Sequence, residues 1–534
     1  MDDRNRKAVA LDFGTSTTLV ASSNGVVPIG SSSPWMPSVV GYGDDGSLVV
    51  GEPALEVPDE QAVRSIKRCI TERRDFVRVD TPTGVRDVRA DELIVAVLRE
   101  AADRGQAKGQ DMTRKGILRL GCPAMWDGRQ RRRLLHLAQQ AGLAVTLASL
   151  VDEAVAAGIA WLASRRTEST VPLRVVVFDM GGGTLDIAVL DIRGINHHDV
   201  SVLAALGIPE AGDALDEAIA DDLDYALGGE GIDIDTLRNP HRARARLPYA
   251  ARDAKIGLST ETEIDVKLSR REFGIASFVY TRDQLNSVFA PQMDRAELYV
   301  AAALRAARLT ELVPGTAYDI VRTPMDELTA GVDVVVLSGG MTQIPYVAQR
   351  LRELFPTSTI EVASAPPENA VAIGLAKAAQ YGRINMYRPA FDILVEWDRG
   401  REFRTIYDAY TPLVESWQIA QGGSELRFFR NGLDLTLPRK GKLRVVSHSG
   451  TRVRATLGGS SLDGFPVALS EQRFEFAIYP NGRIRMTDGS GTHDGHVEDW
   501  YTMHGDDHGD RLERITPQRQ PDVPVHYPFD RDRN

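Results

Sequence analysis

The chain has few cysteines, no long apolar run and no excess of basic residues, and each shortage excludes a class of protein. Only Cys69 and Cys122 occur in 534 residues, which argues against a disulfide framework or a cysteine metal site and predicts two small buried side chains. No uncharged stretch is long enough to cross a bilayer, and residues 1–7 carry no apolar segment, so we expect a cytoplasmic protein with no membrane partner. The net charge of −11 argues against nucleic acid as the main partner. A phosphate site would therefore be local, built from backbone amides and a metal.

Length and patterning predict several domains. Residues 9–380 alternate short apolar runs with helical segments, which is typical of an α/β architecture. The predicted helices cover residues 91–104, 129–141, 213–226, 281–308 and 345–354. Residues 386–488 contain strand-like runs separated by glycine turns, including a hairpin at Asn481-Gly482, so we expect a separate β-rich domain there. Residues 489–534 are polar and are predicted to be a disordered tail, in which His493, His496, His504 and His508 would be solvated.

Two segments of the chain occur twice. Residues 9–15 reappear in altered form as residues 177–184, and the alanine-rich helix at 152–160 matches residues 368–376 position by position. The repeats predict a two-lobed fold with a duplicated core, which clamps a phosphate compound between its lobes.

The first repeated turn follows a strand that ends at Asp12. Gly14 lets the backbone approach a ligand closely, and the next three residues offer amides and hydroxyls to phosphate oxygens. These residues are Thr15, Ser16 and Thr17. Taken alone, the segment is more typical of an ordinary β-turn in an unrelated fold.

The second turn is richer in glycine. Asp179 is followed by Gly181, Gly182, Gly183 and Thr184, and a structural hairpin does not need three consecutive glycines, whereas a backbone wrapped round a triphosphate does. Asp12 and Asp179 would then flank one Mg²⁺, bound largely through water and substrate phosphates.

A third turn follows the apolar run at residues 334–337. Gly339 and Gly340 would let an adenosine lie on the backbone, and Met341 precedes a helix that opens near Pro345. Without the other two turns, simple strand–turn–helix packing would explain this segment.

Together, the turns and the alanine helices resemble the superfamily of actin, sugar kinases and the DnaK-type (seventy-kilodalton) heat-shock chaperones. Five further segments are similar to landmarks of the chaperone branch. They are residues 37–40, 51–54, 65–68, 121–127 and 254–259. The resemblance covers residues 9–380 and implies an actin-like ATPase fold that uses ATP or ADP with Mg²⁺.

The resemblance also implies roles for individual residues. Lys67 would orient the attacking water, Glu153 would hold metal-bound water, and Asp179 would complete the catalytic group. Thr15 and Thr184 would contact the γ-phosphate. The nucleotide would further contact Lys255, Ser259, Gln343 and Glu368, and Pro123 and Arg131 would relay its state to a partner domain.

Each role has a simpler alternative. Lys67 lies in a basic run that could be a solvated helix face, and Glu153 could be an acidic residue favoured at a helix N-terminus. The chain also departs from the chaperone pattern, because Gln343 replaces an arginine that stacks on adenine and Asp152-Glu153-Ala154 replaces Asn-Glu-Pro.

The β-rich domain is similar to the chaperones' peptide-binding sandwich only in part. Residues 391–396 stand where that family has an interdomain linker, residues 410–414 resemble a sandwich landmark, and no helical lid pattern follows Met486. The implied partners are an unfolded peptide or a dedicated protein client, a J-domain co-chaperone and a nucleotide-exchange factor. An actin-like filament-forming or scaffolding ATPase is the alternative, and a metabolic kinase ranks third.

Overall fold

The computed structural model describes residues 8–58, 61–114, 116–165, 172–193, 199–275, 277–311, 317–415, 418–419, 426–432, 440–448, 453–469, 474–498 and 500. Within these residues the chain forms two α/β lobes followed by a β-rich domain, as the patterning predicts. No helix in the described part of the chain combines the length and apolar character needed to span a bilayer.

The first lobe contains strands β1–β11 and helices α1–α4. Its strands are β1 (Val9–Phe13), β2 (Thr17–Ser22), β3 (Gly25–Val27), β4 (Met36–Pro37), β5 (Val40–Tyr42), β6 (Leu48–Val50), β7 (Ala62–Val63), β8 (Phe76–Thr81), β9 (Gly84–Arg89), β10 (Leu118–Cys122) and β11 (Leu150–Asp152). Its helices are α1 (Arg68–Thr71), α2 (Ala90–Ala107), α3 (Gly128–Gln140) and α4 (Glu153–Ser164). The main sheet has the order β11-β10-β1-β2-β3, and β4 pairs with β2.

The second lobe contains strands β12–β19 and helices α5–α12. Its strands are β12 (Leu173–Met180), β13 (Leu185–Arg193), β14 (Asp199–Ile208), β15 (Glu263–Lys267), β16 (Ser277–Thr281), β17 (Val334–Ser338), β18 (Thr359–Val362) and β19 (Gly382–Asn385). Its helices are α5 (Gly212–Gly229), α6 (Pro240–Gly257), α7 (Arg270–Phe273), α8 (Arg282–Leu309), α9 (Ala317–Arg322), α10 (Met325–Thr329), α11 (Pro345–Leu354) and α12 (Ala370–Lys377). The five helices predicted from periodicity correspond to α2, α3, α5, α8 and α11.

The two main sheets have the same arrangement, which confirms the duplicated core. In the first, β1 is antiparallel to β2 and parallel to β10. In the second, β12 is antiparallel to β13 and parallel to β17, within the order β18-β17-β12-β13-β14-β19. The duplicated turns therefore join equivalent strands, β1 to β2 and β12 to β13.

The two alanine-rich helices pack against each other between the sheets. Helix α4 also contacts β12 and β13 of the second lobe, whereas α12 contacts β1, β2 and β10 of the first. A β-carbon added to Gly374 would lie 1.7 Å from the carbonyl oxygen of Ala156, so the helix backbones touch directly. Gly158 of α4 is similarly close to Leu190, since an added β-carbon there would lie 2.6 Å from Cδ1.

The described residues of the β-rich domain form two sheets. Its strands are β20 (Phe391–Trp397), β21 (Glu402–Tyr407), β22 (Phe428–Asn431), β23 (Lys440–Ser447), β24 (Ala455–Leu457), β25 (Ser460–Ser461), β26 (Pro466–Ala468), β27 (Glu475–Ile478), β28 (Arg483–Asp488) and β29 (Gly491–Val497). One sheet has the order β21-β20-β23-β26 and the other β22-β27-β28-β29-β24-β25. The hairpin predicted at Asn481-Gly482 is confirmed, and Gly482 takes a φ of 83°, which favours glycine.

Residues 391–396, which stand only loosely in the place of the family's interdomain linker, belong to the β-rich domain. They lie in β20, which is paired on both sides by β21 and β23. Phe391, Ile393 and Val395 are buried while the residues between them are half-buried, and this period of two is that of a strand with one face in the core.

The boundary predicted at residue 488 is also wrong, because the second sheet continues through β29. This strand pairs with β28 and β24. His493 packs its ring on Phe465, with centroids 5.1 Å apart, and His496 lies in the same strand, so neither belongs to a disordered tail. Residues 501–534, with His504 and His508, lie outside the described residues.

Trp500 provides a test of the corrected boundary. Its side chain is 3% exposed and packs on the hairpin at Gly482. Trp500→Ala should lower the free energy of unfolding of the β-rich domain by about 3–5 kcal/mol, because a large buried ring is removed and a cavity remains.

Urea unfolding followed by circular dichroism measures the change. Phe403→Ala is the control, since Phe403 is an aromatic residue of the same domain that is 55% exposed and should cost less than about 1 kcal/mol. Equal losses in the two variants would contradict the placement of Trp500 in the core.

Candidate functional site

The first two glycine turns have the same geometry and contact each other. In the first, the amide of Gly14 donates to the carbonyl of Thr17 at 3.0 Å, and in the second the amide of Gly181 donates to the carbonyl of Thr184 at the same distance. Gly183 faces Thr15, because an added β-carbon would lie 2.6 Å from its Oγ1 atom. Backbones this close need glycine, so these turns face each other across the lobes.

Ser16 and Gly182 form a second contact between these turns. A β-carbon on Gly182 would lie 2.4 Å from the Ser16 Oγ atom. Gly14 is also closely surrounded, since a β-carbon there would lie 2.4 Å from the Thr17 carbonyl oxygen. The hydroxyls of the first turn therefore lie beside the glycines of the second, as a shared phosphate cradle requires.

The third turn lies against the strand that carries Asp179. Gly339 has a φ of 84°, and a β-carbon on it would lie 2.3 Å from the carbonyl oxygen of Met180 and 2.9 Å from Asp179 Oδ1. Gly340 begins a short 3₁₀ helix in which Met341 is buried. All three turns predicted from sequence therefore meet at one place.

Gln343 and Glu368 lie together at the exposed side of the third turn. Gln343 Nε2 donates to Glu368 Oε2 at 3.1 Å. The amide of Gly339 also donates to the carbonyl of Pro367 at 3.4 Å, which joins the third turn to the segment before α12. Two residues that the resemblance assigns to the nucleotide thus contact each other.

Lys67 is buried, so the interpretation as a solvated helix face is wrong. Its side chain is 4% exposed and its Nζ atom lies 2.5 Å from Glu153 Oε1. Burial acts to lower the pKa of Lys67, but the carboxylates of Glu153 and Asp12 raise it, and the net pKa is above the ordinary lysine value. Lys67 therefore stays charged, held by Glu153 at the N-terminus of α4.

Asp12 and Asp179 lie in the same buried cluster. Burial, and next the charge of Glu153, raises the pKa of each carboxyl to about 7, while Lys67 lowers it. One ammonium thus faces several carboxylates, and the negative charge is not balanced by side chains. A divalent cation held through water fits this surplus, and Mg²⁺ needs only one or two protein carboxylates when phosphates supply other ligands.

Among the described residues, no cluster of three or more histidine, cysteine, aspartate or glutamate side chains could by itself cage a metal ion. The assignment of Mg²⁺ to Asp12 and Asp179, with water and phosphate completing the coordination, stays a prediction.

Asp186 belongs to the cluster and was missed by the sequence analysis. Burial, followed by the charges of Glu153 and Asp179, raises its pKa well above the ordinary value. Its carboxylate accepts hydrogen bonds from the Thr184 hydroxyl at 2.8 Å and from the Ala124 amide at 2.6 Å. Asp186 is the second residue of β13, which begins directly after Thr184, and this short spacing in the sequence was the available signal.

Lys255 is connected to the second glycine turn through Gly212. Its Nζ atom lies 2.7 Å from Asp216 Oδ1 and donates to the carbonyl of Gly212 at 3.0 Å. The amide of Gly212 in turn donates to Gly181 at 3.1 Å. Burial lowers the pKa of Lys255. The hydroxyl of Ser259, just beyond the end of α6, donates to the Lys255 carbonyl at 3.1 Å.

Arg131 connects the first lobe to the β-rich domain. Its guanidinium is 1% exposed, lies 2.6 Å from Asp152 Oδ1 and stacks on the ring of Tyr410 at 4.6 Å. Tyr410 belongs to the segment 410–414, which lies outside the described strands. The sequence therefore found Arg131 but not its partners, which are distant in the chain.

Pro123 belongs to the segment that contacts Arg131. It is buried, and its carbonyl accepts a hydrogen bond from the Trp126 amide at 3.1 Å. The Trp126 carbonyl accepts a hydrogen bond from Arg131 Nε at 2.9 Å. Ala124, next to Pro123, contacts Asp186, so this segment links the carboxylate cluster to Arg131.

The family model for "Hsp70 protein" matches residues 8–383, which contain all three turns. The chain belongs to the Hsp70 family. It is 28% identical over 395 residues to "Chaperone protein DnaK" of Thermotoga petrophila, a match that covers 70% of this chain and 59% of that protein. It is 27% identical over 414 residues to "Heat shock 70 kDa protein 6, chloroplastic" of Arabidopsis thaliana, covering 70% and 52% respectively. The match thus spans little more than half the length of these relatives.

The pairing of Lys67 with Glu153 can be tested by a double-mutant cycle. Lys67→Met should lower the free energy of unfolding by about 3–5 kcal/mol, because it leaves a buried carboxylate without its counter-charge. Adding Glu153→Gln should recover part of this loss, with a coupling of at least about 1 kcal/mol.

Chemical denaturation of the metal-free and nucleotide-free protein measures both values. Lys108→Met removes an exposed lysine and should change stability by less than about 0.5 kcal/mol. Additive effects of the Lys67 and Glu153 substitutions would show that the two side chains do not stabilise each other.

Proposed function

We propose that this protein is a chaperone-like ATPase that binds Mg-ATP between its lobes and hydrolyses it slowly to ADP and phosphate. The contact of three glycine turns around the cluster of Lys67 and carboxylates is the observation that carries the proposal. Membership of the Hsp70 family supports the choice of nucleotide.

The turns would hold the phosphates through their backbone amides. Thr15 and Thr184 are both buried, and their hydroxyls would contact the γ-phosphate. The remaining contacts would come from Gly14, Ser16, Thr17, Gly181, Gly182 and Gly183 on the phosphate side and from Gly339, Gly340, Met341, Gln343 and Glu368 on the adenosine side.

Lys67 would act on the transferred phosphoryl group. Glu153 and Asp12 keep it protonated, so it would orient the attacking water and stabilise the charge that develops on the phosphate. Mg²⁺ bound through water to Asp12 and Asp179 would neutralise phosphate charge. Because phosphoryl transfer needs little covalent help, positioning by these residues would supply most of the rate.

The β-rich domain would respond to the nucleotide. Glu153 lies in the site, and its neighbour Asp152 pairs with Arg131. A shift at the start of α4 would therefore move Arg131 and change its stacking on the Tyr410 ring. By its family, this domain would bind an unfolded peptide or a dedicated protein client, with a J-domain co-chaperone and a nucleotide-exchange factor as further partners.

Measurements of ATP binding and of ATP hydrolysis distinguish the role of Asp12 and Asp179 from that of Lys67. Asp12→Ala combined with Asp179→Ala should weaken Mg-ATP binding by at least about 100-fold in calorimetry, because both carboxylates at the cation are lost. Lys67→Ala should instead retain most of the affinity and lower turnover by about 10²–10³-fold, roughly 3–4 kcal/mol, since it acts on the transition state.

The exposed residues Asp44 and Asp398 provide a matched control, in which the double alanine variant loses the same charge away from the site. Unchanged binding by the variant of Asp12 and Asp179 would disprove the cation site. If the Lys67 variant turned over ATP within about threefold of the parent chain, Lys67 would have no catalytic role.

Hydrogen exchange can test the response of the β-rich domain. Exchange in α3 and β20 should differ between the ATP and ADP states, because a nucleotide shifts only conformations that it binds differently. Arg131→Lys should reduce this difference while leaving ATP binding intact, since it loses the planar stacking on Tyr410. Identical exchange in both nucleotide states would show that the domain is not coupled to the site.

A further inference from the structure

Helices α5 and α6 are neighbours in the sequence and carry opposite charges. Residues 212–237, which contain α5, include nine aspartates and glutamates and no lysine, arginine or histidine. Residues 238–252, which contain the start of α6, include five arginines, one histidine and no acidic residue. The two signs of charge are therefore separated between neighbouring helices instead of being mixed along each helix.

The two helices pack side by side and run in opposite directions. Lys255, near the end of α6, pairs with Asp216 and donates to the carbonyl of Gly212, both at the start of α5. The end of α5 therefore lies beside the start of α6. Each helix has one buried face and one exposed face, so the acidic and basic side chains lie close together at the same end of this two-helix layer.

The exposed face of α5 carries an acidic stripe, formed by Asp221, Asp224 and Tyr225. Their spacing of three and four residues places them on one face of the helix. Tyr225 is 84% exposed, and neither aspartate pairs with a cationic side chain in the part of the chain that the structure describes. A tyrosine ring bordered by carboxylates is a surface on which an arginine can both stack and pair.

The start of α6 carries a basic group, formed by Arg238, His241 and Arg242. All three side chains are exposed. Of the three, only Arg242 pairs with a carboxylate among the described residues, and its partner Glu272 at 2.8 Å also lies 3.9 Å from Arg246. The positive charge at this end of α6 thus exceeds the negative charge that the chain itself places beside it.

Both sets of charges oppose the dipoles of their helices. A helix is electrically negative at its C-terminus and positive at its N-terminus, so acidic residues are unfavourable at the first end and basic residues at the second. Helix α5 ends at Glu230 with no basic residue in its last turn, and the first turn of α6 has no acidic residue. The pair of Asp235 with Arg244, at 2.7 Å, offsets only part of this cost. A partner that presents both signs side by side would offset the rest.

We propose that this surface joins two copies of the chain in a two-fold symmetric dimer. Under two-fold symmetry every contact occurs twice, so an acidic stripe that lies beside a basic group is complementary to a second copy of the same surface. The acidic stripe of each copy contacts the basic group of the other, with an arginine stacked on Tyr225. The three glycine turns take no part, so the dimer is independent of the ATPase proposal.

Sedimentation equilibrium of the full chain, without nucleotide, tests the proposal. The parent chain should form dimers in a concentration-dependent way at low ionic strength. Raising the salt from about 0.05 M to about 0.5 M should weaken dimerisation by at least about tenfold, because screening shortens the range of the attraction between exposed charges.

Two charge-reversed variants test the pairing of the stripe with the group. The first carries Arg238→Glu with Arg242→Glu, and the second carries Asp221→Lys with Asp224→Lys. Each variant alone should dimerise at least about tenfold more weakly, because like charges then face each other in both halves of the contact. An equimolar mixture should recover dimers, since the first variant presents two acidic surfaces and the second two basic ones. Misfolding of a variant would not produce this recovery.

Matched controls make the same charge changes outside α5 and α6. Arg114→Glu with Arg401→Glu is the control for the first variant, and Asp44→Lys with Asp398→Lys is the control for the second, all at exposed positions. Both controls should dimerise like the parent chain. Tyr225→Ala should weaken dimerisation without changing the charge, because the ring on which an arginine stacks is removed. Circular dichroism confirms that each variant is folded.

Several outcomes would overturn the proposal. A parent chain that stays monomeric at every concentration and ionic strength would do so, as would unchanged dimerisation of either charge-reversed variant. A mixture of the two variants that stays monomeric would disprove the reciprocal pairing. Equal weakening in the matched controls would assign the effect to net charge instead of this surface. Assemblies that grow beyond two copies would replace the closed dimer by an open head-to-tail array.

Discussion

The direct contact between helices α4 and α12 is the constraint on which the rest of the site depends. There is no room for a β-carbon on Gly374 above the Ala156 carbonyl, so the two helices pack backbone to backbone. Each helix also contacts the main sheet of the opposite lobe. The turns that follow β1 and β12 are thereby brought together, and a larger residue at Gly374 would separate Asp12 from Asp179 as well as the helices.

This packing places negative charge where it is unfavourable without a ligand. The raised pKa values of Asp12 and Asp179 show that burial and neighbouring carboxylates oppose their ionised forms. Lys67 offsets only part of that charge. A cation bound here would relieve the repulsion, and a ligand that binds only the folded chain stabilises it by mass action. The folded chain should therefore be more stable with a cation bound at this site than without one, as expected where function takes precedence over stability.

The sequence predicted the elements whose signals are local. Glycines at close approaches marked the three turns, and the period of apolar residues marked α2, α3, α5, α8 and α11. It missed the partners of Arg131, because Asp152 and Tyr410 come together only through the tertiary fold. It also misplaced the end of the β-rich domain. Strand β29 reads Gly-Thr-His-Asp-Gly-His-Val, in which only Val497 is buried, so its pairing with β28 and β24 depends on backbone hydrogen bonds rather than apolar alternation.

Two consecutive residues at the start of α4 connect the site to the β-rich domain. Glu153 pairs with Lys67 inside the carboxylate cluster, while Asp152 pairs with Arg131 and accepts a hydrogen bond from Asn385 at 3.2 Å. Asn385 ends β19, the last strand of the second lobe, just before the β-rich domain begins. A backbone shift that moves one of two adjacent residues must move the other. A ligand that shifts the backbone at Glu153 would therefore act on the contacts of Asp152 with Arg131 and Asn385, and through Arg131 on the stacking on Tyr410.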